Sequence, residues 1–184
     1  MSKKIRVGVA GYGTIGQRLA DGVALQGDME LVVGLFCAVA IIFGYVETLI
    51  PVFAGIPGIK LGLANLSVLF ILIRYSLKEA LIVSGVRIVV IGFLFGNMFS
   101  IVYSLAGALL SMTVMYLLKR FTKSSVYAIS MAGGISHNIG QLIIACMIVE
   151  NRSLLFYAPV LLISGIVTGL LIGYLTTETL KRIR

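Results

Sequence analysis

From residue 31 onward the chain is a succession of apolar runs separated by short polar or glycine- and proline-rich turns. The runs cover residues 31–50, 61–73, 80–95, 98–118, 126–149 and 154–175. Glu47 is the lone charge of the first, near its far end, and Arg87 the lone charge of the third, near its middle. The last three carry no Asp, Glu, Lys or Arg. None of the runs alternates with the period of two that a barrel strand needs; they are apolar all round, as helices facing lipid must be when every backbone group is satisfied within its own segment. About 20 residues cross a bilayer core as a helix. The run 61–73 is short for that, so it is expected to extend through Lys60 or to sit against a re-entrant loop. The pattern predicts an all-α membrane protein, a bundle of six transmembrane helices over residues 31–184. Residues 1–30 break the pattern and read as a separate, short βαβ-like leader. No small-residue cleavage site follows a short apolar core, so a signal peptide is not expected.

Composition sharpens this picture. Of 184 residues, 59% are hydrophobic and 12% charged, with a mean hydropathy of +1.08. Soluble domains sit near ~45–50% apolar and ~25% charged, and a chain this size cannot hide the excess from water. The net charge of +8 might point to nucleic acid, but its distribution assigns it to topology instead. With the N-terminus inside, Lys3, Lys4, Arg6, Arg18, Arg74, Lys78, Lys119, Arg120, Lys123, Lys181, Arg182 and Arg184 all face the cytoplasm. Only Lys60 and Arg152 lie outside. That asymmetry is the positive-inside pattern, with both termini cytoplasmic in a bacterial or archaeal cell membrane and no nucleic-acid partner. Cys37 and Cys146 both lie in apolar runs and read as buried inert thiols rather than a bridge. Among the 21 glycines, Gly34-x3-Ala38, Gly165-x3-Gly169 and Gly169-x3-Gly173 place small residues on one helix face, which lets two backbones approach closely.

The leader is a different object. Lys4-Ile5-Arg6-Val7-Gly8-Val9-Ala10 reads as a buried strand, Gly11-Tyr12-Gly13-Thr14-Ile15-Gly16 as a GxGxxG turn into a helix, and Met29–Val33 as a second strand. In a dinucleotide fold Gly11, Gly13 and Gly16 would let a pyrophosphate approach a helix N-terminus. The stretch resembles the start of archaeal-type glyceraldehyde-3-phosphate dehydrogenase, through Val9 to Arg18 and Asp28-Met29-Glu30-Leu31-Val32. The fingerprint is incomplete. No acidic residue follows to hold the ribose, since the second strand leads into Gly34-Leu35-Phe36-Cys37 and the next acid, Glu47, lies in a membrane segment. No cofactor is expected, and the leader reads as a fused fragment without function.

Polar groups inside a membrane are expensive, so each is a candidate site residue. On the outer side Glu47 and Pro51 lead into Gly55-Ile56-Pro57-Gly58-Ile59-Lys60 and then Asn65. This density of Pro and Gly suggests a loop folded over an outer mouth, with Lys60 and Asn65 at a helix start that favours an anion. Their alternative roles are a snorkelling lysine and a capping asparagine. Arg87 must face a partner, a substrate anion or water, and Glu47 is the obvious protein partner for an ion pair, structural or within the pocket. Asn97 lies at the outer end of the third run. In His137-Asn138-Ile139-Gly140-Gln141, His137 and Gln141 share a helix face and Asn138 lies one position round. With no second histidine, a metal site is not expected. No P-loop, paired catalytic carboxylates or aspartate-rich prenyl-synthase motif is present, and Asp21 and Asp28 both lie in the leader.

From about residue 33 to 184 the sequence resembles the Gx transporter family, also named heptaprenyl diphosphate synthase component I. The residues that carry the resemblance are Glu47-x3-Pro51, Pro57 through Asn65, Lys78-Glu79-Ala80-Leu81, Arg87, Leu94-Phe95-Gly96, Tyr103 through Gly107, Gly134 through Gln141, and Ser164-Gly165. The family is similar to the six-helix substrate-binding subunits of energy-coupling factor transporters. That resemblance implies a non-enzymatic subunit that captures a small molecule from outside. A transmembrane coupling subunit would dock on a small-residue face, here Gly34 and Ala38, and separate ATPases would supply the energy. The older name implies an alternative, a membrane accessory subunit of a polyprenyl diphosphate synthase.

Overall fold

A computed structural model describes residues 31–49 and 62–182, and these form six α-helices and one 3-10 turn with no strand among them. The helices are α1 (Leu31–Leu49), α2 (Leu63–Arg74), α3 (Leu77–Phe95), α4 (Met98–Phe121), α5 (Val126–Val149) and α6 (Ala158–Arg182), with the 3-10 turn at Arg152–Tyr157. The expected βαβ-like leader and the outer loop that carries Lys60 lie outside the described residues, except that Leu31–Val33, read as the end of the leader's second strand, belong to helix α1 instead, where the apolar run continues unbroken.

Local chemistry sets the helix boundaries. Ser76 caps α3: its hydroxyl accepts from the Lys78 amide at 3.2 Å and also bonds the Glu79 carboxylate. The Ser-x-x-Glu spacing is that of a capping box, here closed side chain to side chain, and it brings Leu77, Lys78 and Glu79 out of what reads in sequence as a polar turn and into the helix. Asn97 caps α4 by accepting from the Ser100 amide at 2.8 Å, and Ser125 caps α5 through the Ala128 amide at 3.3 Å. Gly62 precedes α2 with φ of +74°, a left-handed conformation that glycine adopts without the Cβ penalty.

Among the described residues three spans are long and apolar enough to cross a membrane: α4, α5 and the continuous stretch Arg152–Arg182 that contains α6. The expectation of six spans therefore meets two physical limits. With 12 residues, α2 reaches only ~18 Å along its axis, short of a ~30 Å hydrocarbon core. Helix α3 is long enough but carries Lys78, Glu79 and Arg87.

An apolar core is joined by several buried polar side chains, and the exterior is far more apolar than that of a water-soluble bundle. Ser67, Ser84, Ser111, Ser130, Ser136, Gln141 and Thr176 are buried, while Phe93, Phe121, Ile163, Val167 and Leu170 are exposed. Together with the long apolar helices, this marks a membrane protein whose polar side chains face inward.

The packing divides the bundle into two sets. Helix α5 packs most extensively on α6 and on α4. Its contact with α6 runs along the small-residue stripe: a Cβ at Gly165 would meet the Gly134 carbonyl carbon at 2.9 Å, one at Gly169 the Met131 Cα at 2.7 Å, and one at Gly173 the Tyr127 Cα at 3.1 Å. These backbones touch because no side chain stands between them. Helices α1, α2 and α3 pack on one another and meet the other set chiefly where α3 lies on α4 and α2 on α6. By contrast, nothing lies within 4 Å of a Cβ placed at Gly34, and Gly34 and Ala38 are both exposed. Cys37 and Cys146 are free thiols and half-buried, less enclosed than their apolar neighbourhoods suggest.

Short α2 is the most enclosed helix, with Ser67 through Leu72 all buried. Lys119 of α4 holds its far end, donating from Nζ to the Leu72 carbonyl at 2.5 Å and the Ile73 carbonyl at 3.2 Å. These are carbonyls that a helix end leaves without intrahelical partners. Lys119→Met keeps the aliphatic stem and removes both bonds. It is expected to cost about 2 kcal/mol, read as a lower melting temperature in detergent; an unchanged melting temperature would show the cap to be dispensable.

Candidate functional site

Between the two sets of helices lies an open polar cavity with about 520 Å³ of empty space, counting its mouth. It collects the expected site residues Asn65, Arg87, His137, Asn138 and Gln141, together with Glu47. They come from four helices: Glu47 near the end of α1, Asn65 in the first turn of α2, Arg87 on α3, and His137, Asn138 and Gln141 on successive turns of α5. Asn97 is not among them. It stands exposed at the start of α4, where its side chain is engaged as the helix cap. Lys60 lies outside the described residues.

Glu47 and Arg87 border the same cavity, yet they form no ion pair. A Glu47 carboxylate oxygen instead accepts the backbone N–H of Gly62 at 2.5 Å, tying the end of α1 to the start of α2. The expected pairing is corrected on this point: the amide of a left-handed glycine competes for the carboxylate and needs no charge of its own to hold it. The only ion pair among the described residues is Lys181–Glu178, at an exposed helix end.

Arg87 is consequently under-satisfied. Its Nη2 reaches Asn65 Oδ1 at 3.5 Å, the outer limit of a hydrogen bond. Its Nε is buried with no partner among the described residues. A guanidinium carries five N–H donors, so one in this state has donors directed at whatever enters the cavity.

The three α5 residues divide by role. Asn138 donates from Nδ2 to the Leu161 carbonyl at 2.6 Å and to Ser164 Oγ at 3.2 Å, so it fastens α5 to α6. Gln141 is buried, borders the cavity, and shows no hydrogen bond to another described residue. It lies flush because α4 presents Gly107 there: a Cβ at Gly107 would stand 2.7 Å from Gln141 Cγ and 3.0 Å from His137 Cε1.

Ser104 of α4 and Thr168 of α6 also border the cavity and escaped the sequence reading. Thr168 sits three residues past Gly165, beside the small-residue stripe, and that face was the available signal. Its hydroxyl bonds the Ser164 carbonyl at 2.8 Å, which lets it lie in an apolar helix at little cost.

Beneath the polar cavity a second, mainly apolar compartment of about 470 Å³ continues into the bundle. The two share Gly62, Asn65, Gly134, His137 and Thr168 along their boundary. The arrangement defines a helical membrane protein with a polar cavity set among apolar helices.

The chain belongs to the family described as heptaprenyl diphosphate synthase component I, which matches residues 36–179. The family is that of a non-catalytic component, a subunit that works beside a partner. Curated relatives match a different and much shorter part. The glyceraldehyde-3-phosphate dehydrogenase of Pyrobaculum calidifontis is 71% identical over 28 residues, 15% of this chain and 8% of that enzyme. Those of Methanococcoides burtonii and Archaeoglobus fulgidus are each 62% identical over 29 residues, 16% of this chain and 9% and 8% of those enzymes. The chain thus spans under a tenth of the length of these relatives, and the likeness extends to no catalytic domain. No solved structure matches.

Proposed function

We propose that this protein is the membrane substrate-binding subunit of an uptake transporter, capturing a small molecule from the outer side of the membrane. One observation carries this reading: a half-buried Arg87, its Nε buried without a partner among the described residues, opens into a cavity where α1, α2, α3 and α5 bring polar side chains together. In a membrane interior such a group is costly to keep unless a ligand or water completes it. The six helices then form one transmembrane domain over residues 31–184, with both termini cytoplasmic. Asn65, Arg87, His137 and Gln141 contact the ligand, and Asn97 stands at the outer rim. Gly34 and Ala38, both exposed, dock a coupling subunit that separate ATPases drive. Residues 1–30 form a leader that takes no part in capture.

The test is to purify the full chain gently and identify by mass spectrometry what it releases on denaturation. Wild type is expected to release a small molecule in near-stoichiometric amount. His137→Ala and Gln141→Ala should each reduce the retained amount at limiting ligand, corresponding to an affinity loss of roughly 3–10-fold, since each removes a hydrogen bond worth ~0.5–1.5 kcal/mol. Equal retention by all three proteins would reject this pocket.

A second reading, an accessory subunit of a prenyl diphosphate synthase, draws on the family's description. Co-purification separates the two: an ATPase partner supports transport, a prenyl synthase partner the accessory role.

A further inference from the structure

The two compartments and the unpaired charges between them carry an inference about the ligand's chemistry. Among the described residues the polar compartment holds one cation, Arg87, and one anion, Glu47, and the two do not neutralise each other by contact. Glu47 makes a single hydrogen bond among the described residues, to the Gly62 amide, and its second carboxylate oxygen takes none from them. The guanidinium likewise keeps most of its donors. The compartment below is walled by Val68, Leu69, Met112, Met115 and Ile172. Ser111, which also borders it, donates its hydroxyl to the Gly133 carbonyl at 2.9 Å and so presents little free polarity. The methionines give that wall an adaptable, polarisable surface suited to an apolar body.

Resting on the pocket reading above, we propose that the ligand is a small zwitterion with an apolar body, the chemistry of a free hydrophobic amino acid. Its carboxylate lies on Arg87, its ammonium on Glu47, and its side chain enters the compartment between Met112, Met115 and Ile172. A single guanidinium facing a carboxylate of the protein's own gives a net charge near zero. A polyanion such as a diphosphate would bring charge that the described residues do not compensate, beside a carboxylate that repels it. A purely anionic ligand would leave Glu47 without a counter-charge, and a purely cationic one would leave Arg87 in that state. A zwitterion answers both, and the depth of the apolar compartment selects a body that water does not favour.

The experiment is equilibrium binding to the full chain in lipid nanodiscs with matched probes: L-leucine and L-phenylalanine, the des-amino acid 4-methylpentanoate, the decarboxylated amine 3-methylbutylamine, and inorganic diphosphate. At least one of the two amino acids should bind saturably, and each half-molecule and diphosphate at least tenfold more weakly. Glu47→Gln retains an acceptor for the Gly62 amide, so the fold is spared, and it should erase the preference for L-leucine over 4-methylpentanoate. Failure of both amino acids to bind overturns the proposal, as does tighter or equal binding of 4-methylpentanoate or diphosphate, or a preference that survives Glu47→Gln. The pocket reading fails separately, through retention of the native ligand that is indifferent to His137→Ala and Gln141→Ala.

Discussion

Replacing Gly165 with valine is expected to destabilise the protein by about 3 kcal/mol and to abolish ligand capture at the same time. A Cβ at this position would stand 2.9 Å from both the carbonyl carbon and the carbonyl oxygen of Gly134 and 3.0 Å from the Ile135 amide nitrogen. All three are backbone atoms, which cannot rotate aside as the end of a flexible side chain can. The branched side chain must therefore push α6 off α5 along the stripe that also includes Gly169 and Gly173. Capture falls with stability because Gly134, across the contact, borders both compartments of the cavity. Thermal unfolding in detergent reads the first effect and ligand retention the second. Gly85→Val is the control: it adds the same volume at a helical glycine whose Cβ would meet nothing within 4 Å. Its cost should be limited to helix propensity, a few tenths of a kcal/mol in either direction. Equal melting temperatures for the Gly165 and Gly85 variants would contradict the close α5–α6 contact.

Arg87→Gln is expected to separate stability from function. The guanidinium has a buried Nε without a partner among the described residues and one long hydrogen bond, so the ligand-free protein holds a charge that its surroundings do not satisfy. Glutamine keeps a similar stem and a donor for Asn65 while removing that charge. The empty protein should therefore melt at a temperature equal to or a few degrees above wild type. Capture should fall about 10–100-fold, because hydrogen bonds to a charged group are worth ~1.5–3 kcal/mol each. Reduced stability together with undiminished capture would assign Arg87 a structural role.

The helices were legible in the sequence wherever hydrophobicity alone decides. The run 126–149 coincides with α5 because Ser125 caps it at one end and Glu150, in a left-handed turn, closes the other. The three-glycine stripe of α6 was legible as a packing face because spacing by four repeats the same side of a helix. Less legible was the polar stretch 74–79, where a capping box turns half of the residues into helix. Within the site, Asn65, Arg87, His137 and Gln141 stood out because each is a strongly polar group in an apolar run. Ser104 and Thr168 did not, and for Thr168 the reason is plain: a hydroxyl that bonds its own helix hides its polarity. Asn97 stood out for the wrong reason: an asparagine just ahead of an apolar run is first of all a cap. The Glu47–Arg87 pair was the natural inference from charge. What decided otherwise was the Gly62 amide, a backbone donor without a signature in side-chain chemistry.

The division between α1–α3 and α4–α6 gives the cavity a mechanical meaning. Glu47, Asn65 and Arg87 belong to one set, and His137 and Gln141 to the other. Whatever fills the space is gripped from both sides, so the free energy of its capture is also adhesion between the sets. In its absence they are joined where α3 lies on α4 and α2 on α6, with Lys119 stitching the far end of α2. Occupancy is therefore expressed as stiffness across the whole bundle. Under the function proposed above, a coupling subunit resting on the exposed face of α1 around Gly34 senses a full pocket through that stiffness, without touching what fills it.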